Sequence, residues 1–137
     1  MVFDFEKLKD QSIVTILFAT VFLSGCISSE SYIQKRRQQL LDLYPPGITS
    51  RSDVQARWRN IQPQFSEVRP STGWADCRYP DSTVGQRCLA VEHRTGKEIQ
   101  RCERYFGPDG LFSLCYCWFY YDSADRLVDA EWQWSTD

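Results

Sequence analysis

The chain has 137 residues, which is enough for one domain with a modest core and leaves little room for a second. Its 16 basic and 18 acidic side chains nearly cancel, and the formal net charge of −2 excludes the strongly basic surface typical of nucleic-acid-binding proteins. Aromatic residues make up 15% of the chain and all five Trp follow Cys26, which favours a β-rich domain with a large aromatic core or contact surface.

The first segment with a clear pattern is an apolar stretch near the N-terminus. From Ile13 to Leu23 every residue is apolar except two threonines, but the stretch is about half the ~20 residues that a membrane-spanning helix needs. The stretch ends in Leu23-Ser24-Gly25-Cys26, which resembles the bacterial lipobox, and it is interpreted as the core of a signal peptide. We expect lipid attachment to the Cys26 thiol and cleavage before it; the alternative is an ordinary buried thiol that ends a hydrophobic helix.

This interpretation divides the chain into three parts. Residues 1–25 are the expected signal peptide, residues 26–31 a short lipidated tether, and residues 32–137 a single α+β domain. Removal of 25 residues from 137 leaves 112, which fits one domain. Ile27 stands where an aspartate would favour retention at the inner membrane in enteric-type bacteria. The expected location is therefore the outer membrane, facing the periplasm.

A first helix is predicted from Tyr32 to Tyr44, where four apolar residues can share one face and Pro45-Pro46-Gly47 ends the pattern. Its first turns carry Lys35, Arg36 and Arg37. Because the tether is short, these side chains are candidates for contact with anionic lipid headgroups. A merely solvated helix face is the alternative.

A second helix is predicted to begin after Ser50 and to end before Pro63. Ser50 is a suitable N-cap and Asp53 stands where a capping-box carboxylate is expected. Val54, Trp58 and Ile61 follow at helical spacing.

The remaining chain is predicted to be a loop followed by strands. The segment 63–84 contains several Pro and Gly residues and is expected to be mostly loop, with an extended piece around Trp74. From Arg87 onward the pattern alternates and is broken by turns, which predicts four strands at residues 89–93, 98–106, 111–121 and 127–134. The expected fold is α+β, with two N-terminal helices packed on one face of a four-stranded antiparallel meander.

A strand register follows from the expected turn lengths. A three-residue loop at 123–125 would pair Tyr120 with Val128 and place one set of side chains on the core face: Leu114, Tyr116, Trp118, Tyr120, Val128, Ala130, Trp132 and Trp134. A three-residue loop at 94–96 and a four-residue loop at 107–110 would make Cys88 face Cys102 and Cys102 face Cys115. Cys115 and Cys117 would then share the opposite face of their strand.

The five cysteines that follow Cys26 are interpreted as disulfide candidates, because an exported protein meets an oxidising compartment. They are Cys77, Cys88, Cys102, Cys115 and Cys117. We expect two bridges, one of which contains Cys102. With one histidine and no Cys-x-x-Cys, the pattern predicts no metal site.

Two motifs give the chain a resemblance to a known family. Gly47-Ile48-Thr49-Ser50 precedes the second predicted helix, and the segment from Tyr121 to Val128 looks like a closing hairpin turn. Together with the lipobox, tether, helices and sheet, these motifs resemble the SmpA/OmlA (BamE-like) family of outer-membrane lipoproteins. The resemblance covers roughly residues 46–134. It implies a non-enzymatic role that supports outer-membrane assembly or envelope integrity through protein contacts.

No set of residues predicts a catalytic centre. Cys88 with His93, and the carboxylates Glu92, Glu98 and Glu103, are candidate nucleophilic or acid–base groups, but strand alternation and solvation favour structural roles. Asp129 and Glu131 share a face and are expected on the wet side of the sheet. Trp132 and Trp134 are expected in the core, with a sugar or peptide groove as the alternative.

The sequence therefore predicts no cofactor, no small-molecule substrate and no nucleic-acid partner. The expected partners are the membrane, through the lipid, and other envelope proteins. Two functions remain open: an envelope interaction module, or an inhibitor or immunity lipoprotein that blocks a toxin or lytic enzyme. The five additional cysteines favour the second function, because stapled loops are preorganised for tight binding. The meander and the order of the helices favour the first function.

Overall fold

The computed structural model describes residues 30–58, 62–78, 81–106 and 115–134. The chain divides into two compact units, residues 1–35 and residues 36–137. The sheet lies within the second unit. Cys26 and the expected signal peptide and tether up to residue 29 lie outside the described residues, so their assignments stay predictions.

The described elements form an α+β fold. Its helices are α1 (residues 30–43), α2 (Arg51–Arg57) and α3 (Ser82–Thr95), with a 3₁₀ turn at Trp74–Asp76. Its strands are β1 (Phe65–Val68), β2 (Arg101–Phe106), β3 (Cys115–Tyr121) and β4 (Leu127–Trp134). All neighbouring strands are antiparallel and lie in the order β1-β2-β3-β4. The α+β class and the four-stranded antiparallel sheet are confirmed.

The end of α1 and the start of α2 follow the signals that the sequence suggested, whereas α2 ends at Arg57, with Trp58 as its C-cap, before the predicted end near Pro63. α1 ends before Pro45, and the Ser50 hydroxyl and the Asp53 carboxylate form a reciprocal capping box at the start of α2. The linker between these helices also pairs with the last strand: the Gly47 amide donates to the Leu127 carbonyl and the Leu127 amide to the Thr49 carbonyl, both at 2.8 Å. The linker thereby ties α1 and α2 to the sheet.

The predicted strand at residues 89–93 is wrong, because these residues lie within α3. Asp81 caps the helix by accepting a hydrogen bond from the Thr83 amide, and Gly96 ends it with φ of 68°. Val84, Cys88 and Val91 are buried at helical spacing. The helices are therefore not all N-terminal, since α3 lies between β1 and β2.

The first strand of the sheet comes instead from the segment that was predicted to be mostly loop. Phe65–Val68 forms β1 and pairs with β2, for example Phe65 with Arg104. The piece around Trp74 is a 3₁₀ turn rather than extended chain. β1 alternates between half-buried and exposed positions. Because the strand has only four residues, its alternation was a weak signal in the sequence.

The predicted register of the last hairpin is correct at one pair and wrong beyond it. Tyr121 pairs with Leu127 as expected, but a β-bulge at Tyr120/Tyr121 then shifts the pairing by one residue. Tyr120 therefore pairs with Asp129 rather than with Val128. Leu114 lies outside the described residues. Because side chains alternate along a strand, the shift separates the other seven residues of the expected core face into two sets on opposite faces.

Both faces of the sheet are covered. On one face, Tyr44 at the end of α1 and Trp58 at the end of α2 contact Phe119, with ring centroids 5.4 Å and 6.3 Å apart. On the other face, Val91 of α3 packs with Trp74, and these residues join a buried cluster with the sheet residues Cys102, Trp118 and Tyr120. The prediction of helices on one face alone is therefore wrong, because it omitted α3.

Gly85 permits the close packing of α3 on the 3₁₀ turn. A Cβ atom at this position would lie 2.2 Å from the Trp74 carbonyl oxygen and 3.1 Å from Cβ of Cys77. Only a residue without a side chain fits, so the sequence accepts a poor helix former inside α3.

Candidate functional site

The densest group of polar side chains lies between α3 and the sheet. We call it the α3 network; its members are Arg37, Arg87, Arg94, Trp118, Tyr120, Asp129, Glu131 and Gln133. The arginines come from helices, and the remaining members come from β3 and β4. The β-bulge places β3 and β4 so that their polar and aromatic residues share this face.

Two carboxylates of β4 form the centre of the network. Arg94 donates from Nε to Asp129 Oδ2 and from Nη2 to Glu131 Oε1, both at 2.7 Å. Asp129 also accepts from Arg37 and Glu131 from Arg87, each at 2.8 Å. The side chains of Asp129 and Glu131 are only 4% and 18% exposed. The expectation that they lie on the wet side of the sheet is therefore wrong.

Aromatic residues fix the position of Arg87. Its guanidinium lies 4.6 Å from the ring centroid of Trp118, a cation–π contact, and donates to Gln133 Oε1 at 2.7 Å. The Trp118 indole donates to the same oxygen at 2.9 Å, and the Tyr120 hydroxyl donates to Glu131 Oε2 at 2.7 Å. Trp118 is buried, as predicted. It lies on the face covered by α3, however, and Trp132 lies on the opposite face.

The network determines the charge state of Glu131. Burial alone disfavours ionised Glu131, but hydrogen bonds from Tyr120 and Arg94 and the charges of Arg94 and Arg87 outweigh it and hold its pKa below the usual range. Burial, with the nearby Cys102 and Glu131, raises the pKa of Tyr120 well above the ordinary value. At neutral pH the network therefore contains a carboxylate and a protonated phenol.

Three thiols lie in the buried cluster beneath α3: Cys77 after the 3₁₀ turn, Cys88 of α3 and Cys102 of β2. The structure holds all three as thiols, as it does Cys115 and Cys117, and the two expected bridges stay a prediction. Burial, followed by a hydrogen bond with the Cys88 thiol, raises the pKa of Cys102 well above its ordinary value. The expected proximity of Cys88 and Cys102 is present, but it joins a helix to a strand instead of two strands.

The other expected contact of Cys102 is absent from the described pairing. Cys102 pairs with Tyr120 instead of Cys115. The last pair between β2 and β3 is Phe106 with Tyr116, so the connection between these strands is longer than the four residues predicted. Cys115 and Cys117 lie together on the face of the sheet opposite to Cys102. The prediction that these two cysteines share one face is correct. Cys102 and Cys115 therefore cannot bridge without a change of fold.

A second buried carboxylate lies on the face covered by α2. Glu103 is fully buried and Oε1 accepts from Arg51 at 2.6 Å and from the Ser66 hydroxyl at 3.0 Å. Oε2 accepts from the Tyr105 hydroxyl at 3.0 Å. Burial and the adjacent Glu103 raise the pKa of Tyr105 above its ordinary value. Glu103 was expected to be solvated on a hairpin. Nothing in the sequence around it indicated that it is buried with Arg51 as its counter-ion.

The remaining candidate groups do not come together as a reaction centre. Glu92 accepts hydrogen bonds from Arg69 and from the Ile99 amide, and the latter measures 2.9 Å. His93 and Glu98 are exposed. Trp132 is buried as expected, whereas Trp134 is 44% exposed and contacts Trp132 edge to face.

The expected membrane-proximal basic residues differ in their surroundings. Lys35 is exposed, and Arg36 is half-buried and donates to Gln39 Oε1 at 3.3 Å. Arg37 is bound to Asp129 within the α3 network. Arg37 therefore has a structural partner that the sequence did not reveal, and lipid contact stays a prediction for all three residues.

A groove with exposed apolar side chains lies between the end of α1 and α2. It has a volume of about 410 Å³, and its lining combines apolar residues such as Leu43, Ile48 and Ala56 with the charged Asp53 and Arg57. Leu43 is 52% and Ile48 73% exposed. The groove places apolar side chains at the surface next to the linker that is bound to β4.

No known protein family, curated protein or solved structure matches this chain. Within the described ranges, no helix is long and apolar enough to cross a membrane. The same residues contain no group of three or more His, Cys, Asp or Glu side chains placed to hold a metal ion.

Proposed function

We propose that this chain is a lipid-anchored outer-membrane lipoprotein that acts as a non-enzymatic interaction module in envelope assembly or integrity. The observation that carries the proposal is Leu23-Ser24-Gly25-Cys26 at the end of an apolar stretch too short to span a bilayer. Several acyl chains on Cys26, each adding about 0.8 kcal/mol per buried methylene, give stable anchoring.

The contacts of the carboxylates support a binding role over a catalytic one. Asp129 and Glu131 are bound by arginines, and Glu103 is enclosed by Arg51, Ser66 and Tyr105. A general acid or base must reach a substrate proton, and these oxygens are turned to partners inside the domain. Their charges stabilise the packing of helices on the sheet.

The exposed apolar residues support a protein partner. Leu43 and Ile48 lie beside the groove between α1 and α2, where they add apolar area to the surface. We assign the partner contact to this surface, and the expected partner is an envelope protein that inserts apolar side chains there.

The alternative function is an inhibitor or immunity lipoprotein with the same anchor. Its support is the number of cysteines in a small expected mature domain, since cross-linked loops bind with a smaller loss of entropy. In that case the partner is a secreted toxin or lytic enzyme instead of a resident envelope protein.

Co-purification from detergent-solubilised envelopes, with the full chain tagged at its C-terminus, tests the proposal. We expect resident envelope-assembly proteins to co-purify, and Ile48→Asp to reduce their recovery at least about tenfold, because a charge in an apolar contact is costly. Leu89→Asp is the matched control: Leu89 is 39% exposed on α3, away from the groove, and its variant should retain the partner.

Recovery of a secreted hydrolase or toxin, with loss of its activity on binding, would establish the alternative function. Equal recovery with the Ile48→Asp and Leu89→Asp variants would reject the groove as the contact surface.

A further inference from the structure

The contact between Cys88 and Cys102 joins two elements that share no backbone hydrogen bonds. Cys88 lies on the buried side of α3, and Cys102 lies on β2, an inner strand of the sheet. Both side chains have no exposed area and belong to the same cluster, in which the structure holds them as unbonded thiols. The Cys88 thiol is the side-chain hydrogen-bond partner that helps to raise the pKa of Cys102. Their sulfur atoms are therefore neighbours in the folded domain.

We propose that Cys88 and Cys102 form a disulfide bond that clips α3 to β2. The proposal rests on the proposed function in one respect, since export is what brings the chain to an oxidising compartment. Fourteen positions separate the two cysteines in the sequence, so the bond closes a short loop that contains the end of α3 and the entry to β2.

The oxidant is a disulfide of an exchange catalyst. One cysteine attacks it as a thiolate and forms a mixed disulfide, which releases one catalyst thiol; the second cysteine then attacks the mixed disulfide at the sulfur of the first. The Cys88–Cys102 bond forms and the catalyst leaves as a dithiol, having accepted two electrons. Burial of both thiols means that this exchange takes place while α3 is still undocked during folding.

The fold excludes the competing bond to the next strand. Cys102 and Cys115 lie on opposite faces of the sheet, because Cys102 pairs with Tyr120 and side chains alternate along β3. Cys88 approaches Cys102 only from the face covered by α3. Cys77, which is buried in the same cluster, is the thiol that competes with this pairing.

Peptide mapping tests the bond on the full chain, exported by a bacterial host and taken from solubilised membranes. Remaining thiols are alkylated in denaturant before trypsin digestion without reductant. Cleavage at the flanking arginines gives residues 88–94 and 102–104 as separate peptides. We expect these two peptides as one linked species that separates after reduction. Alkylation of either cysteine, or a link from either one to any other cysteine such as Cys77, would overturn the proposal.

Failure of export gives a different result from failure of the bond. Lipid on Cys26 in the same sample reports the anchor, so a lipidated chain with alkylated Cys88 and Cys102 rejects the bond alone. If the chain lacks lipid, refolding the full chain in detergent with glutathione disulfide, followed by the same mapping, decides the pairing. The linked peptides support it, and alkylated cysteines reject it.

The effect on stability gives a second readout. Reduction should lower the melting temperature of the wild-type protein by roughly 10 °C or more, because the bond restricts the unfolded chain. Cys88→Ala should remove this response to reductant. Cys115→Ala, which changes a buried thiol on the other face, is the matched control and should keep the response.

Discussion

The two faces of the sheet hold their buried carboxylates in different ways. Beneath α2, one fully buried carboxylate, Glu103, has one arginine, Arg51. Beneath α3, the buried Asp129 and the partly exposed Glu131 share the three arginines of the α3 network. A shared network tolerates the loss of one member because each acid keeps another arginine, whereas the loss of Arg51 leaves a buried charge without a counter-ion. The same charge chemistry thus gives a critical pair on one face and a redundant group on the other.

The largest expected effect is on the aromatic packing of the α2 face. Phe119 is fully buried and contacts Tyr44, Trp58 and Tyr105 with ring centroids 5.4 to 6.3 Å apart. Phe119→Ala should cost about 3–5 kcal/mol of unfolding free energy, measured by urea denaturation. Phe119→Leu, which keeps most of the volume, should cost less than half as much. Equal stability of Phe119→Ala and wild type would show that this aromatic cluster contributes nothing to the fold.

The Arg51–Glu103 pair should give the next largest loss of stability. Arg51→Ala should cost about 3 kcal/mol, because the buried Glu103 carboxylate loses its only arginine among the described contacts. Glu103→Gln in the Arg51→Ala background should recover part of this loss, since a neutral amide needs no counter-ion. A double variant less stable than Arg51→Ala would contradict the unpaired-charge explanation.

Close packing of α3 gives the third prediction. Gly85→Ala should destabilise by about 2–3 kcal/mol despite the better helix propensity of alanine, because its Cβ would overlap the Trp74 carbonyl oxygen. Gln86→Ala, at an exposed position of the same helix, is the control and should change stability by less than about 0.5 kcal/mol. A neutral or stabilising Gly85→Ala would place α3 farther from the 3₁₀ turn.

The α3 network should show a smaller effect. Arg94→Ala should cost about 1 kcal/mol, because Arg94 is partly exposed while Asp129 keeps Arg37 and Glu131 keeps Arg87. Denaturation of this variant beside Arg51→Ala compares the two faces directly. A cost for Arg94→Ala equal to or above that of Arg51→Ala would contradict the redundancy of the network.

The smallest expected effect is a pH dependence of stability. The folded pKa of Glu131 is lowered, so its stabilisation is present above the ordinary glutamate value of about 4.3 and is lost as pH falls through the folded pKa. Denaturation at pH 7 and at pH 3 should show a loss on acidification that is up to about 1 kcal/mol smaller in Glu131→Gln. An identical loss in both proteins would show that Glu131 is not stabilised as an anion.

Local signals predicted the parts of the fold that depend on neighbouring residues. The capping box at Ser50 and Asp53 and the chain break at Pro45 determine the boundary between α1 and α2. β4 matches the predicted range 127–134 because turn residues and alternation mark it on its own. These features need no information from distant parts of the chain.

The signals of α3 were present but were outweighed by an apparent alternation. Asp81 and Gly96 are suitable caps, and Val84, Cys88 and Val91 follow helical spacing, whereas Leu89-Ala90-Val91 resembles a buried strand. Short apolar runs fit either pattern, and the surrounding contacts decide between them. The two caps together mark the limits of α3 in the sequence.

The candidate site depended on one backbone irregularity that the sequence did not mark. The bulge at Tyr120/Tyr121 brings Asp129 and Glu131 to the face of α3, where Arg87 and Arg94 bind them. A one-residue change of register moves every later side chain of a strand to the other face. Long-range pairs such as Arg37 with Asp129 could not be predicted until that register was known.

The lipid anchor at Cys26 underlies the whole proposed function, and the mass of the N-terminal peptide tests it directly. The measurement is mass spectrometry of the protein from membrane fractions of an exporting host, with Cys26→Ala as the control. We expect a mature chain that begins at Cys26 and carries acyl groups, and a control that is uncleaved or soluble and mislocalised. A chain from the membrane fraction whose Cys26 carries no lipid would contradict the proposed anchor.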